Sequence, residues 1–592
     1  MCGITGFFHF QGMPENAEDT LTAMMAAIRH RGPDDQGKAL GPWYALGHLR
    51  LSIIDLSPLG HQPMWSPDQR YCLIYNGEIY NYKELRADLQ QRGYSFKGQS
   101  DTEVLLYGLI EYGSGFLKKL EGMFAGAFVD TRENEALLFR DQLGIKPLYY
   151  SVGNGWFWFA SNPQALLKKA ELEKETLTEL DSVALHFQFS LHASVPAPYT
   201  VFKKIRKLPP AHCMTVELNG QTKIWPYWHL RPQRPPQPKT QAEWLELSKF
   251  ELFRSVKSHL LASDVPVGVL LSGGLDSSLI VGVLHALGYE NIPTFSIGFE
   301  PVQGILSDEF YYSDIIAKKF RTQHHKYVLA NRDMLNTFPK AVENMAEPMV
   351  STDVTAFYLL AQRVSKEVKV VQSGQGADEV FGGYSWYEKM LQDPSPDPVE
   401  KLRRFYLDRP HHQLIKIFSN SFFAGSNPTT TDSSFPEMDY TGVLLKDILH
   451  QPHADDMMDQ IFRADVGTFM VDDPVKRVDN MTMAWGLEAR VPFLDYKLVE
   501  LAMQMPAELK LQSQGKWPLK QVARELIPSE VIDRPKGYFP IPALQVLEGE
   551  FSEFVRQTLT SQKCRNRGLF SINYIDELLN QKKVELTPIG GN

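Results

Sequence analysis

The chain has 592 residues, 43% hydrophobic and 22% charged, which is ordinary globular composition and too long for one core. A net charge of −9 and a pI near 6.0 offer no global attraction to nucleic acid or to a membrane surface, so neither is expected as a partner. Four cysteines (Cys2, Cys72, Cys213, Cys564) are too few for a disulfide framework and suit a reducing cytoplasm, and "MCGITGFFHFQGMPENAEDT" lacks a basic leader with a long apolar run. Over the first ~200 residues, short strand patterns recur: "CGITGFFHF", "YALGHLRLSIIDL", "RYCLIYNGEIY", "GMFAGAFVD", "EALLFRD" and "WFWFAS". Helical spacing interrupts them near Lys83–Arg92 and Thr102–Tyr112, which predicts layered sheets with helices outside. The proline-rich stretch "RPQRPPQPKTQ" (231–241) reads as a linker, and the expected division is 1–215, a linker over 216–241, and 242–592. Beyond it, "PVGVLL", "PTFSIGF", "HHKYVL" and "VKVVQ" alternate with helical patterns, the rhythm of a doubly wound parallel sheet whose ligands bind at the strand carboxyl ends. From about Tyr387 the pattern is mostly helical, with a helix start expected at Asp473-Pro474.

Two of those strand ends carry small polar loops. "LLSGGLDSS" (270–278) is a strand, a glycine turn and a helix, a geometry that presents backbone N–H groups to an anion. It has no GK[ST] and is not a Walker A loop; Asp276 supplies a hard oxygen suited to Mg²⁺. "QSGQGADEVFGGY" (372–384) surrounds Asp378 and Glu379 with glycine and alanine, and Gln375 between two glycines should face whatever binds there. At the N-terminus, removal of Met1 would expose a cysteine whose own α-amine can act as base toward its thiol.

The 270–278 motif resembles the PP-loop of ATP pyrophosphatases. That likeness implies that Leu271, Ser272, Gly273, Gly274, Ser277, Ser278, Ile297, Ser373 and Gly374 contact ATP, with Asp276 and Asp378 holding Mg²⁺ on the leaving pyrophosphate. "MCGITGFF", "RHRGPDD" (29–35), "LGHLRLSIIDLS" (46–57), "YNGEIYNY" (75–82) and "SDTEVLL" (100–106), in that order, resemble a class II glutamine amidotransferase, which has a four-layered αββα N-terminal-nucleophile fold. The resemblance implies that Cys2 attacks the glutamine amide, that Asn76 and Gly77 form the oxyanion hole, that Arg50 pairs with the α-carboxylate, and that Glu78 and Asp101 hold the α-ammonium. A glutaminase joined to an adenylating domain with a helical extension is the architecture of the glutamine-dependent asparagine synthetase family, whose products are an amide, AMP and pyrophosphate. Lys536, in "DRPKGYF", matches a family lysine that neutralises charge on the triphosphate.

Within the family, an acid often stands where this chain has Gln375, and an amide cannot accept a proton there at neutral pH. With "HASVPAPYTVF" (192–202), the stretch 469–502 and the stretch 528–551, this residue makes the chain most similar to the N-acetylglutaminylglutamine amidotransferase branch. That branch amidates the C-terminal carboxylate of a neutral-capped dipeptide to give an osmoprotectant; the alternative acceptor is L-aspartate. The branch usually reads "FAGYHWYPP", and here "FGGYSWYEK" stands at 381–389; the chain ends at "LTPIGGN", where the branch's terminal helix is expected. Tyr384, Trp386, Tyr387, Tyr538 and Phe539 are candidates to line a larger acceptor pocket or to pack a core, and Lys476, Arg477, Asp479, Asn480 and Glu488 to form a charged helix face or domain interface. A homodimer and a dipeptide-forming ligase as pathway partner complete the expectations.

Overall fold

The computed structural model describes residues 2–172, 176–300, 310–349, 353–423, 436–534 and 549–580. The N-terminal half builds β1 (Gly3–His9), β2 (Asp35–Leu40), β3 (Tyr44–Arg50), β4 (Met64–Trp65), β5 (Tyr71–Ile79), β6 (Gly122–Asp130), β7 (Glu135–Arg140), β8 (Tyr149–Gly153), β9 (Trp156–Ala160), β10 (Arg206–Lys207), β11 (His212–Glu217) and β12 (Thr222–Pro226). They form two antiparallel sheets, ordered β10-β8-β9-β1-β3-β2 and β12-β11-β7-β6-β5-β4. Apolar side chains that alternate along the strands, including Ile4, Phe8 and Phe157 from one sheet and Ile74, Ala125 and Leu138 from the other, fill the space between them. Helices Ala17–Ala27 and Pro163–Leu172 cover the outer face of the first sheet through Leu21, Met25 and Leu166. Helices Tyr82–Gln91 and Asp101–Tyr112 cover the second through Leu85, Leu89 and Val104. The layers are therefore α, β, β, α. The strand pair β11–β12 extends the second sheet past residue 215, so residues 216–226, expected in the linker, belong to that sheet. The proline run lies beyond it, before a helix (Gln241–Leu261) opened by a capping box between Thr240 and Glu243.

In the C-terminal half, β13 (Val267–Leu270), β14 (Pro293–Phe299), β15 (Gln323–Leu329), β16 (Val370–Gln372) and β17 (Glu488–Arg490) form one parallel sheet in the order β15-β14-β13-β16-β17. The order reverses between β13 and β16, so the loops that follow these two strands diverge and leave a crevice. β17 lies in the stretch read as mostly helical; three residues are too few to give a strand period, and Glu488, read with the charged helix face or domain interface, opens this strand. The helical extension also differs from expectation at Asp473-Pro474. The helix starts instead at Asp456, whose side chain caps Asp459 N, and runs from Met457 to Met483. Two wider, π-type turns (Asp465–Phe469 and Val471–Val475) carry Pro474 inside it, because a widened turn tolerates the missing N–H. No helix among the described residues is long and apolar enough to cross a membrane.

Candidate active site

The register between β1 and β3 sets Gly3 opposite Leu49, which brings the residues just outside the pair, Cys2 and Arg50, to one end of the first sheet. β5 of the second sheet delivers Asn76 and Glu78 to the same end. Cys2 is buried, and its backbone N–H donates to Asn76 Oδ1 at 3.0 Å. That bond orients the Asn76 amide and leaves its Nδ2 buried with no hydrogen-bond partner. An unpaired buried donor is costly unless an oxygen arrives to meet it. Gly77 admits no side chain, because a Cβ there would stand 2.2 Å from Met123 O on β6. The Arg50 guanidinium is locked by the carbonyls of Ser57 (3.0 Å), Ile54 (3.3 Å) and Asp55, a loop that Gly60 lets close over it. Asp101 opens its helix and accepts from the Tyr75 hydroxyl and from Ile79 N. Burial raises its pKa, and burial together with the carboxylates of Glu488 and Asp101 pushes Glu78 well above the usual carboxylate range. Arg490, 3.9 Å from Glu78 Oε2, offsets this only in part, and an ammonium group beside the two acids would favour their charged forms. Burial also raises the Cys2 thiol.

A residue without an assigned role in the sequence, Arg31, is central here. It is fully buried, donates from Nε to Cys2 O at 3.3 Å, and forms a bidentate pair with Asp479 at 2.9 and 3.1 Å. It lies in the quoted "RHRGPDD", but its partner is 448 positions away. The face of Lys476, Asp479 and Asn480 is thus a buried interface between the two halves. Lys476 stands beside Glu347 and Asp472, both also paired with Lys207, and Asn480 accepts from Ala346 N.

The second constellation is a cavity of about 380 Å³ at the β13/β16 crevice. Leu271, Ser272, Gly274, Asp276, Ser277, Ile297, Ser373, Gly374, Gln375 and Asp378 line it. Gly273 and Ser278 do not. Gly273 supplies the turn, at φ 74° with Ser313 N 2.7 Å from where a Cβ would be, and Ser278 is buried inside the helix Leu275–Ala286. The Ser277 hydroxyl meets Ser272 N at 3.2 Å and closes the loop. Ser373 N donates to Arg490 O at 2.8 Å, so β17 holds the second loop in place. The Arg490 side chain reaches back toward the first constellation, with Glu78 Oε2 at 3.9 Å and Glu488 Oε1 at 2.5 Å.

Asp276 and Asp378 converge. Lys516 Nζ joins Asp276 Oδ2 at 2.6 Å and Asp378 Oδ1 at 2.9 Å, and these carboxylates raise its pKa against the opposing effect of burial. Gly383 makes room, since a Cβ would fall 2.1 Å from Asp378 Oδ1 and 2.3 Å from Lys516 Cε. Two hard carboxylates focused on one cation, next to serine hydroxyls, are a donor set that fits Mg²⁺ on a phosphate chain. Lys516, Lys520 and Arg534 give the cavity its positive wall. None stood out in sequence, because a single cation in a loop carries no periodic or spacing signal. Tyr384 lines the cavity, whereas Trp386 and Tyr387 pack into the core; Lys536, Tyr538 and Phe539 lie outside the described residues. At one corner, Glu379 accepts from the Tyr384 hydroxyl at 2.7 Å; burial, then Asp378 and Asp465, raise its pKa to about 8.

Comparisons with known proteins agree with this division. The glutamine amidotransferase domain family matches residues 1–228, and the asparagine synthase family matches residues 250–587. The chain is 33% identical to asparagine synthetase [glutamine-hydrolyzing] 1 of Bacillus subtilis over 98% of its own length and 93% of the relative's. It is 31% identical to a putative asparagine synthetase of Mycobacterium bovis, covering 95% of this chain and 91% of that one. A putative asparagine synthetase of Methanocaldococcus jannaschii is 35% identical over 68% of this chain and 79% of that one. The chain is a member of the asparagine synthase family, a glutamine-hydrolysing amidotransferase ligase.

Proposed function

We propose that Cys2, made N-terminal by removal of Met1, attacks the side-chain amide of glutamine with its own α-amine as base. Asn76 Nδ2 and Gly77 N–H receive the oxyanion, Arg50 takes the α-carboxylate, and Glu78 and Asp101 take the α-ammonium. The observation that carries this reading is the Asn76 amide, one end spent on Cys2 and the other a buried unpaired donor beside it. The ammonia released stays inside the protein, away from water.

At the cavity, the 271–278 loop takes the ATP phosphates, with Ile297, Ser373 and Gly374 beside the adenosine. Asp276 and Asp378 would hold Mg²⁺, which when bound neutralises charge on the pyrophosphate leaving group. Lys516, Lys520, Arg534 and Lys536 would add positive charge along the same chain of phosphates. An acceptor carboxylate attacks the α-phosphorus and displaces pyrophosphate, giving an acyl-adenylate; ammonia then attacks the acyl carbon, giving the amide and AMP.

The acceptor is the C-terminal carboxylate of N-acetylglutaminylglutamine. Support comes from three groups that line the cavity: Gln375, the Tyr384 hydroxyl, and Glu379, which burial keeps largely protonated at neutral pH. An amide, a protonated acid and a hydroxyl offer a neutral peptide backbone both donors and acceptors, whereas an amino acid's ammonium calls for a charged partner. L-aspartate is the second reading, favoured by the names of the relatives. Acceptor-stimulated AMP formation with ATP, Mg²⁺ and glutamine separates them. Stimulation by the dipeptide is expected, and stimulation by aspartate alone overturns the dipeptide assignment while leaving the two half-reactions standing.

A further inference from the structure

Away from both constellations, three helix segments meet at a polar cluster. His186 belongs to the helix Ser182–Ser190, His411 opens the helix His411–Ile417, and Asp439 caps the helix Tyr440–Leu449. His186 Nε2 stands 3.0 Å from His411 Nδ1 and 3.9 Å from Asp439 Oδ1, and the three ligand atoms all lie within 4.8 Å of one another. His186 is fully buried, and the other two are half-buried.

The surrounding hydrogen bonds determine which ring nitrogens carry protons. The Ser190 hydroxyl donates to His186 O at 2.7 Å, so toward Thr441 Oγ1, 2.6 Å away, it can only accept. The Thr441 proton is thereby used, and His186 Nδ1, 2.7 Å from Thr441 Oγ1, must be the donor of that pair. In a neutral ring this leaves Nε2 as a lone pair. His411 Nε2 faces Pro436 O at 3.1 Å, which can only accept, so His411 Nδ1 is the lone pair of the second neutral ring. The two lone pairs point at each other across 3.0 Å with a carboxylate oxygen alongside. A cation between them would be met by all three ligand atoms.

We propose that His186 Nε2, His411 Nδ1 and Asp439 Oδ1 form a binding site for a divalent transition-metal ion of the zinc type, with water completing the coordination. Two imidazoles and one carboxylate are a donor set zinc favours, and tetrahedral bonds of ~2.0–2.2 Å place ligand atoms ~3.3 Å apart. Small side-chain rotations bring 3.0 and 3.9 Å to that value. The outer groups have the arrangement usual around metal ligands. Thr441 holds one ring, Pro436 O the other, and Arg403 holds Asp439 Oδ2 at 2.6 Å. The ion would tie residues 186, 411 and 439 together and so clamp the helix Ser182–Ser190, which lies between β9 and β10, to the helical extension.

The test uses the full chain, stripped with chelator and titrated with Zn²⁺ and separately with Co²⁺ in excess Mg²⁺. Expected are about one Zn²⁺ retained per chain by elemental analysis and the visible d–d bands of low-coordinate Co²⁺. His411→Gln and Thr441→Val should each weaken binding by about tenfold or more, with glutaminase activity unchanged. Failure of the wild-type chain to retain Zn²⁺ or to give a saturable Co²⁺ spectrum overturns the site and leaves a proton as the shared cation. Binding that both variants leave unchanged also overturns it, because the ion is then held elsewhere.

Discussion

The N-terminal constellation hangs its groups from neighbouring strands of two facing sheets, whereas the cavity of the C-terminal half gathers loops from distant parts of the chain. In the first, Cys2, Arg50, Asn76 and Glu78 lie within 78 residues of one another, and strand pairing in each sheet together with the packing of the two sheets brings them to one end. In the second, Asp276 and Asp378 follow β13 and β16, where the sheet reverses its order, and Lys516 reaches both from the start of the helix Trp517–Leu526. Electrostatics divide the sites the same way. In the first, burial raises the pKa values of Glu78 and Asp101, and in the second Lys516 pairs with both acids. Under the proposed function the first site would take an ammonium group, and the second would exchange the Lys516 cation for a metal ion when a phosphate chain arrives.

Cys2→Ala should have the largest effect on this contrast. Glutamine-driven amide formation should fall by about 10⁴-fold or more, with ammonia-driven synthesis retained. Equal loss of both would mean that the two constellations are not separate half-reactions. Asp276→Asn should remove both nitrogen sources together, by about 10³-fold in pyrophosphate release. Survival of the ammonia-driven rate would remove Asp276 from the adenylating site. Asn76→Ala should cost about 10²–10³ in glutaminase kcat, with little change in KM; a pure KM effect would place the amide on the ground-state substrate.

Asp479→Asn tests whether the regions act as one body. Removing a buried partner of Arg31 should destabilise the fold by about 3 kcal/mol or more. It should also slow glutaminase from a helix in the other half, because Arg31 holds Cys2 O. An unchanged glutaminase rate in a folded variant would break that link. The smallest expected effect is on pH dependence. Glu379 has a raised folded pKa, so its contribution favours the fold below the ordinary glutamate range and is lost as pH rises toward about 8. The melting temperature without nucleotide should fall over that window, and Glu379→Gln should flatten the slope; an unchanged slope in calorimetry would show that Glu379 is ionised in the fold.

The strands that carry the sites were legible because their apolar period reaches six or more residues, as in β6 and β14, whose ends agree with the patterns "GMFAGAFVD" and "PTFSIGF". β17 was not, since three residues give no period, and β12, with its exposed side chains, shows no buried face to reveal it. Pro474 misled for a related reason: proline after aspartate usually opens a helix, and only packing reveals a widened turn around it.

By itself the sequence determined the two-part architecture and the backbone loops at 271–278 and 373–376, because glycine, serine and aspartate at fixed spacing dictate local turns and local chemistry. It determined equally the set of groups around Cys2, which short strands carry in register. The tertiary structure alone decided which distant charges complete each site: Arg31 with Asp479, Lys516 with Asp276 and Asp378, Arg490 between the two. Coulomb pairing depends on distance in space, and separations of hundreds of residues leave no trace in a local pattern.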